Sequence, residues 1–178
     1  MFFLQMSGYP GSGKSTLSRL IGKQTGAIVL DHDIVKSSLL ESSDVNIDHK
    51  LAGKISYNIE WALVDSYLSQ GHKVILDSPC LYSEMIEKGQ ALSERHRVNY
   101  KYVECYLPDY GEINNRLRNR KQMISQILQA PSEEALLKTI ENTKRPSGDE
   151  YLIVDTKQPV DTYIEAVMKY VNDYKNRP

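Results

Sequence analysis

The feature that most constrains this chain is an early run, Gly8-Tyr9-Pro10-Gly11-Ser12-Gly13-Lys14-Ser15, which satisfies the pattern GxxxxGK[ST]. It follows an apolar segment, Phe2 to Met6. It precedes an amphipathic stretch, Lys14 to Lys23, in which Leu17, Leu20 and Ile21 share a face and Gly26 lies just past the end. Strand, glycine loop and helix in that order make a phosphate cradle. Gly8, Gly11 and Gly13 permit backbone angles that turn successive N–H groups towards one anion, and Pro10 and Ser12 complete the loop. The first turn of the helix adds unpaired N–H groups and the positive end of its dipole. Lys14 is then placed to bridge the β- and γ-phosphates of ATP, Ser15 to ligate Mg2+, and Thr16 to contact the α-phosphate or cap the helix.

Further along, apolar segments read as strands at Ala27 to Leu30, Lys73 to Leu76, Tyr100 to Leu107 and Tyr151 to Val154. Helical patterns separate them. One runs through Val35, Leu39 and Leu40. A longer one starts near Asp48, carries Leu51, Ile55, Ile59, Ala62 and Leu63 as its buried stripe, and stops at Gly71. Asp109 and Glu112 have capping-box spacing and open a helix holding Ile113 and Leu117, while Pro159 begins a last helix through Val160, Ile164, Val167, Met168 and Val171. Strands alternating with helices require crossovers, so the fold class is α/β, with a parallel sheet covered on both faces. With 178 residues the chain fits one domain, 1–178. The polar stretch from Lys121 to Gly148, with Ser132, Glu133 and Glu134, reads as a second short helix in a lid that spans about 116–148.

Composition narrows the class of partner. The net charge is -1, which gives no overall pull towards a polyanion, and the apolar start is too short to be a signal or membrane segment. The reading is a cytoplasmic protein, monomer or homodimer. Cys80 and Cys105 show no ligand spacing and are read as reduced thiols, Cys105 packed in a strand and Cys80 near a site.

In an open parallel sheet, ligands bind beyond the carboxyl ends of the strands, which gives weight to acids there. Val74-Ile75-Leu76-Asp77 is a strand ending in a carboxylate able to hold a magnesium shell or orient a substrate; its alternative is a cap involving Ser78 and Pro79. Asp31-His32-Asp33 follows the second strand. Asp33 can act as general base towards an acceptor hydroxyl, or cap the helix that follows, or both. His32 reads as a solvated group or one standing behind the reacting atoms, and Asp31 as a contributor to the metal shell. Arg116 and Arg120 lie four apart on an expected helix and should share a face, where a guanidinium brought in by a lid would stabilise a transferring phosphoryl group. The loop containing Thr156 falls where an adenine ring would lie. Tyr57, Trp61 and Tyr67 read as core residues that could also edge an acceptor pocket.

Four segments, GYPGSGKST, HDIVK, VILDSP and RLRNR, resemble the P-loop kinase group that includes polynucleotide kinase, gluconate kinase, chloramphenicol phosphotransferase and zeta-toxin-like kinases. The resemblance implies a P-loop NTPase three-layer sandwich with sheet order 2-3-1-4-5. It also implies a DxxR pattern, in which Asp33 is the base and the substrate-binding arginine is replaced by Lys36, which lacks a bidentate fork. Asp77 matches the third-strand acid. Arg116 and Arg120 match an RxxxR lid pattern, implying an adenine-side or lid contact for the former and a transition-state contact for the latter.

The leading expectation is an ATP-dependent kinase acting on a hydroxyl of a small-molecule or nucleotide-like acceptor. Nucleic acid is possible but not favoured. The alternatives are a polynucleotide 5′-hydroxyl kinase and a nucleotide-dependent switch without transferase activity.

Overall fold

The computed structural model describes residues 1–42, 47–148 and 151–173. The expected domain, 1–178, also includes residues that lie outside that description. Among the described residues five strands form one sheet in the order β2-β3-β1-β4-β5. They are β1 (Phe2–Ser7), β2 (Ile28–Asp31), β3 (Val74–Asp77), β4 (Asn99–Tyr106) and β5 (Leu152–Asp155), and every pairing is parallel. This is the P-loop NTPase architecture. The helices between them are α1 (Lys14–Thr25), α2 (His32–Ser42), α3 (His49–Ser69), α4 (Ser83–Arg95), α5 (Tyr110–Asn119), α6 (Glu133–Glu141) and α7 (Ile164–Asn172).

Strand β1 is buried along its whole length because both faces of the sheet are covered. Its side chains alternate between two cores. Phe3 joins Trp61, Val64, Leu76, Met85 and Ile86 beneath α3 and α4. Phe2, Leu4 and Met6 join Leu17, Ile21 and Val167 beneath α1 and α7. A third cluster, including Leu107, Ile113, Leu117, Leu136 and Ile140, ties α5 to α6.

The expected elements β2 and β3 end one residue later than the apolar pattern suggests. Asp31 and Asp77 are the last ladder residues and pair in register, so the two carboxylates stand side by side at the strand ends. The buried stripe of α3 also differs. Leu51 and Ile59 are exposed, and the core face is Ala52, Ser56, Glu60, Trp61, Val64 and Leu68. Polar residues enter that face because α2 packs on it, which the apolar period alone does not reveal. Asp48 does cap the helix, accepting from the N–H groups of Lys50 and Leu51.

Helix α4 has no counterpart in the sequence reading. Gly89 in its middle weakens the local helical signal. The glycine is there for packing: a Cβ would lie 2.5 Å from Gln5 Oε1 and 2.9 Å from the Tyr100 ring. The last helix also begins later than Pro159 suggests, since Val160–Thr162 is a 3-10 turn. No described helix is long and apolar enough to cross a membrane.

Candidate functional site

The loop after β1 folds as a nest because its glycines reach conformations closed to other residues. Gly8 has φ 134°, and a Cβ there would stand 2.4 Å from the Cys105 carbonyl oxygen, so the loop lies directly on β4. Gly13, in the left-handed region, opens α1 without any side-chain cap, and no acidic residue occupies the first turn. The positive end of α1 is therefore left to face the cleft. The Lys14 ammonium arches over the loop and donates to the carbonyls of Gly8 and Tyr9 at 2.9 and 3.2 Å.

A cleft of about 1350 Å³ opens at the carboxyl ends of the strands. Pro10, Gly11, Gly13, Lys14, Ser15 and Thr16 line it from the nest. Asp31, Asp33, Lys36 and Asp77 line it from β2, α2 and β3, and Arg116, Arg120 and Thr156 from the other side. Gly8 and Ser12 shape the nest from behind rather than lining the cleft; Ser12 offers its carbonyl to the Thr156 hydroxyl at 2.7 Å.

Asp77 is buried and accepts a hydrogen bond from Ser18 at 3.0 Å. Burial pushes its carboxyl above the ordinary range, with the nearby Lys14 charge opposing that rise. Asp31 is the cap of α2, since its Oδ1 accepts from the N–H of Asp33 at 3.0 Å, while its Oδ2 meets Arg19 at 3.1 Å. The capping role considered for Asp33 therefore belongs to Asp31, which leaves the Asp33 carboxylate free for other contacts. Those contacts come from the far loop: Gln126 Nε2 donates to Asp33 Oδ2 at 2.7 Å and Ser125 Oγ to Oδ1 at 3.4 Å. Ser125 also accepts from Ser37 at 2.8 Å, so the loop is docked on α2.

Arg116 and Arg120 do not share a helical face. Arg116 lies within α5, bonded to Glu112 at 2.7 Å and to the Thr156 carbonyl at 2.8 Å. Arg120 follows the helix in extended conformation and donates to the Ile127 carbonyl at 2.9 Å. Both residues nevertheless line the cleft. Burial lowers the basicity of Arg120, and the charge of Asp33 works against that change.

His32 is not solvated. It is buried, its Nδ1 lies 2.8 Å from Glu60 Oε1, and its ring stacks on Tyr57 with centroids 4.1 Å apart. Glu60 is fully buried on α3, and desolvation raises its pKa against the pull of His32. Tyr57 and Trp61 line the cleft as well as packing in the core, whereas Tyr67 only packs. Cys80 and Cys105 are both buried, and burial pushes each thiol up to about 12. Neither lines the cleft. Glu60, Ser125 and Gln126 are the residues that sequence reasoning missed, and no local pattern marks them, because their partners lie 28 to 93 positions away.

Residues 4–146 match the family model described as AAA domain, AAA_33. The chain belongs to that family. Its likeness to solved structures extends over nearly its whole length and shows the fold. A candidate kinase from Chloroflexus aurantiacus j-10-fl superposes with a TM-score of 0.74 at 16% identity, covering 96% of this chain and 98% of that one. The Mycobacterium tuberculosis APS kinase in complex with AMPPNP and APS gives 0.64 at 16% identity, over 96% and 97% of the two chains. A gluconokinase from Sinorhizobium meliloti 1021 gives 0.60 at 16% identity, over 94% and 90%. No curated protein matches the chain in sequence.

Proposed function

We propose that this AAA_33 domain is an ATP-dependent phosphotransferase that moves the γ-phosphate of ATP to a hydroxyl of a small-molecule or nucleotide-like acceptor. One observation carries the reading: an uncapped helix terminus with Lys14, and a carboxylate, Asp33, that caps nothing, line the same cleft. The kinases named above share this fold, and one of them was solved with AMPPNP.

In this scheme the nest and Lys14 hold the β- and γ-phosphates, while Arg116 and Thr156 border the adenine end. Asp33 takes the proton from the acceptor hydroxyl as its oxygen bonds to the γ-phosphorus. The bond from that phosphorus to the β–γ bridging oxygen breaks, and ADP leaves with the electron pair. Arg120, on the loop that closes over Asp33, supports the negative charge on the transferring oxygens. Ser15 and Asp77 fit Mg2+: they offer hard oxygen donors, and Asp77 is a buried carboxylate whose ionisation a cation would favour. Among the described residues no cluster of three or more metal-ligating side chains occurs, as suits an ion held mainly by phosphates and water. When bound, that ion would neutralise charge on the β- and γ-oxygens.

The test is transfer of label from γ-labelled ATP, with magnesium, across a panel of hydroxylated metabolites and oligonucleotides. D33N should abolish transfer while leaving ATP affinity in place. Transfer that survives D33N at the original rate removes Asp33 from the chemistry; tight ATP binding with no transfer to any acceptor turns the reading towards a nucleotide switch.

A further inference from the structure

The sheet order sorts the cleft into two sides. The nest follows the central strand β1, with Arg116 and Thr156 reached from β4 and β5. The opposite side, built on β2 and β3, is walled by α2, α3 and α4, and its chemistry is not what an adenine nucleotide requires. Helix α3 sends Lys50, Gly53, Lys54, Tyr57, Asn58 and Trp61 into the cleft, a stripe at helical spacing. Lys36 from α2 and Lys88 from α4 line the same side.

Four lysines therefore line this side; of the carboxylates that line it, Asp31, Asp33 and Asp77 stand at the strand ends and the start of α2, and Glu84 lies on α4. Among the described residues none of the four lysines has a carboxylate oxygen within 4.0 Å. Lys88 lies over the Trp61 ring at 5.3 Å, and Lys36 Nζ comes within 3.8 Å of where a Cβ on Gly53 would stand. Gly53 thus lets the Lys36 ammonium sit close against α3. Lys50 and Lys54 are four apart, a like-charge spacing that costs a helix a few tenths of a kcal/mol and that a bound anion would relieve.

The residue type selects the anion. Carboxylates are best held by the planar fork of arginine, and none lies on this wall; lysines act as point charges suited to a phosphate dianion. Leu81 and Tyr82, both exposed, line the same side and offer an apolar flank. The space suffices for two ligands, since 1350 Å³ exceeds the roughly 300–1,000 Å³ that one drug-sized molecule fills.

We propose that the acceptor is a small phosphorylated molecule, its existing phosphate held among Lys36, Lys50, Lys54 and Lys88 while its hydroxyl reaches Asp33. The proposal rests on the kinase reading for calling this ligand the acceptor; the anion site itself does not.

The test titrates the protein, saturated with AMPPNP and magnesium, with matched pairs that differ only in a phosphate. These are ribose against ribose 5-phosphate, glycerol against glycerol 3-phosphate, and cytidine against cytidine 5′-monophosphate. At least one phosphorylated member should bind tighter than its partner by about tenfold or more, the effect of one charge-assisted hydrogen bond. That preference should collapse in the triple variant K50Q/K54Q/K88Q and persist in the arginine counterpart K50R/K54R/K88R, with melting temperature used to confirm that both fold. Equal binding within every pair, or a preference unchanged in the glutamine variant, overturns the proposal. So does binding confined to oligonucleotides that fades steeply with salt, which would assign the wall to a nucleic-acid backbone. If the phosphate preference holds but γ-label reaches none of the bound molecules, the anion site stands and the kinase reading falls.

Discussion

Arg145 closes the polar stretch after α6 by forking onto Glu104, with Nε to Oε2 at 2.6 Å and an Nη to Oε1 at 2.8 Å. The Glu104 side chain is 2% exposed, and Arg145 is 30% exposed. Replacing the arginine in R145A strands a carboxylate inside β4. Breaking a fully buried pair from one side costs about 3–5 kcal/mol. Because water reaches part of the guanidinium, about 2–3 kcal/mol is expected here. For a protein of this size each kcal/mol moves the melting temperature by about 2–4 °C, which sets the fall at roughly 4–12 °C. Scanning calorimetry and urea unfolding at neutral pH measure it. The companion variant E104M/R145M removes both charges and should recover most of the loss, since the penalty comes from the unpaired carboxylate. A wild-type melting temperature for R145A, or a double variant no more stable than the single one, would refute the argument. Either result would also show that this end of the expected lid is not pinned to the sheet as the geometry implies.

K14A should weaken magnesium–ATP binding by at least about tenfold, the worth of one charge-assisted contact, as read by calorimetry; unchanged affinity would contradict its place in the nest. G89A should lower the melting temperature even though alanine favours helix by about 1 kcal/mol. The new methyl displaces Gln5 Oε1 from its 2.8 Å bond with the Tyr100 hydroxyl and overpacks the core, a loss of about 1–3 kcal/mol for each effect. Stability equal to the wild type would show that Gln5 moves aside freely. Cys80 and Cys105 should resist a disulfide reagent at pH 8 in the native protein and react fully in denaturant, because burial holds both thiols up to about 12. Their folded values exceed the unfolded value near 9, so their contribution to stability is complete below pH 9 and lost as pH rises towards 12. D77N should raise the melting temperature of the metal-free protein and abolish the stabilisation that magnesium adds to bound ATP; a magnesium response equal to the wild type would exclude Asp77 from the metal shell.

The nest, the parallel sheet and the acids at the strand ends were legible in the residue order because each depends on neighbours in the chain. A glycine loop binds phosphate through consecutive N–H groups, and a strand that ends in aspartate delivers its carboxylate to the sheet edge whatever else surrounds it. Helix α4 escaped the reading because its decisive residue, Gly89, obeys packing against Gln5 and Tyr100 rather than helix propensity. The face of α3 was misjudged for a similar reason: α2 and the cleft, not the apolar period, decide which side turns inward.

Only the tertiary structure could show that Asp31 rather than Asp33 caps α2, that Gln126 closes on Asp33, and that His32 pairs with Glu60. The last two contacts join residues that approach each other only once the helices have docked. A hydrogen bond spans about 3 Å of space, and local sequence carries no information about which distant side chains folding will bring within that reach.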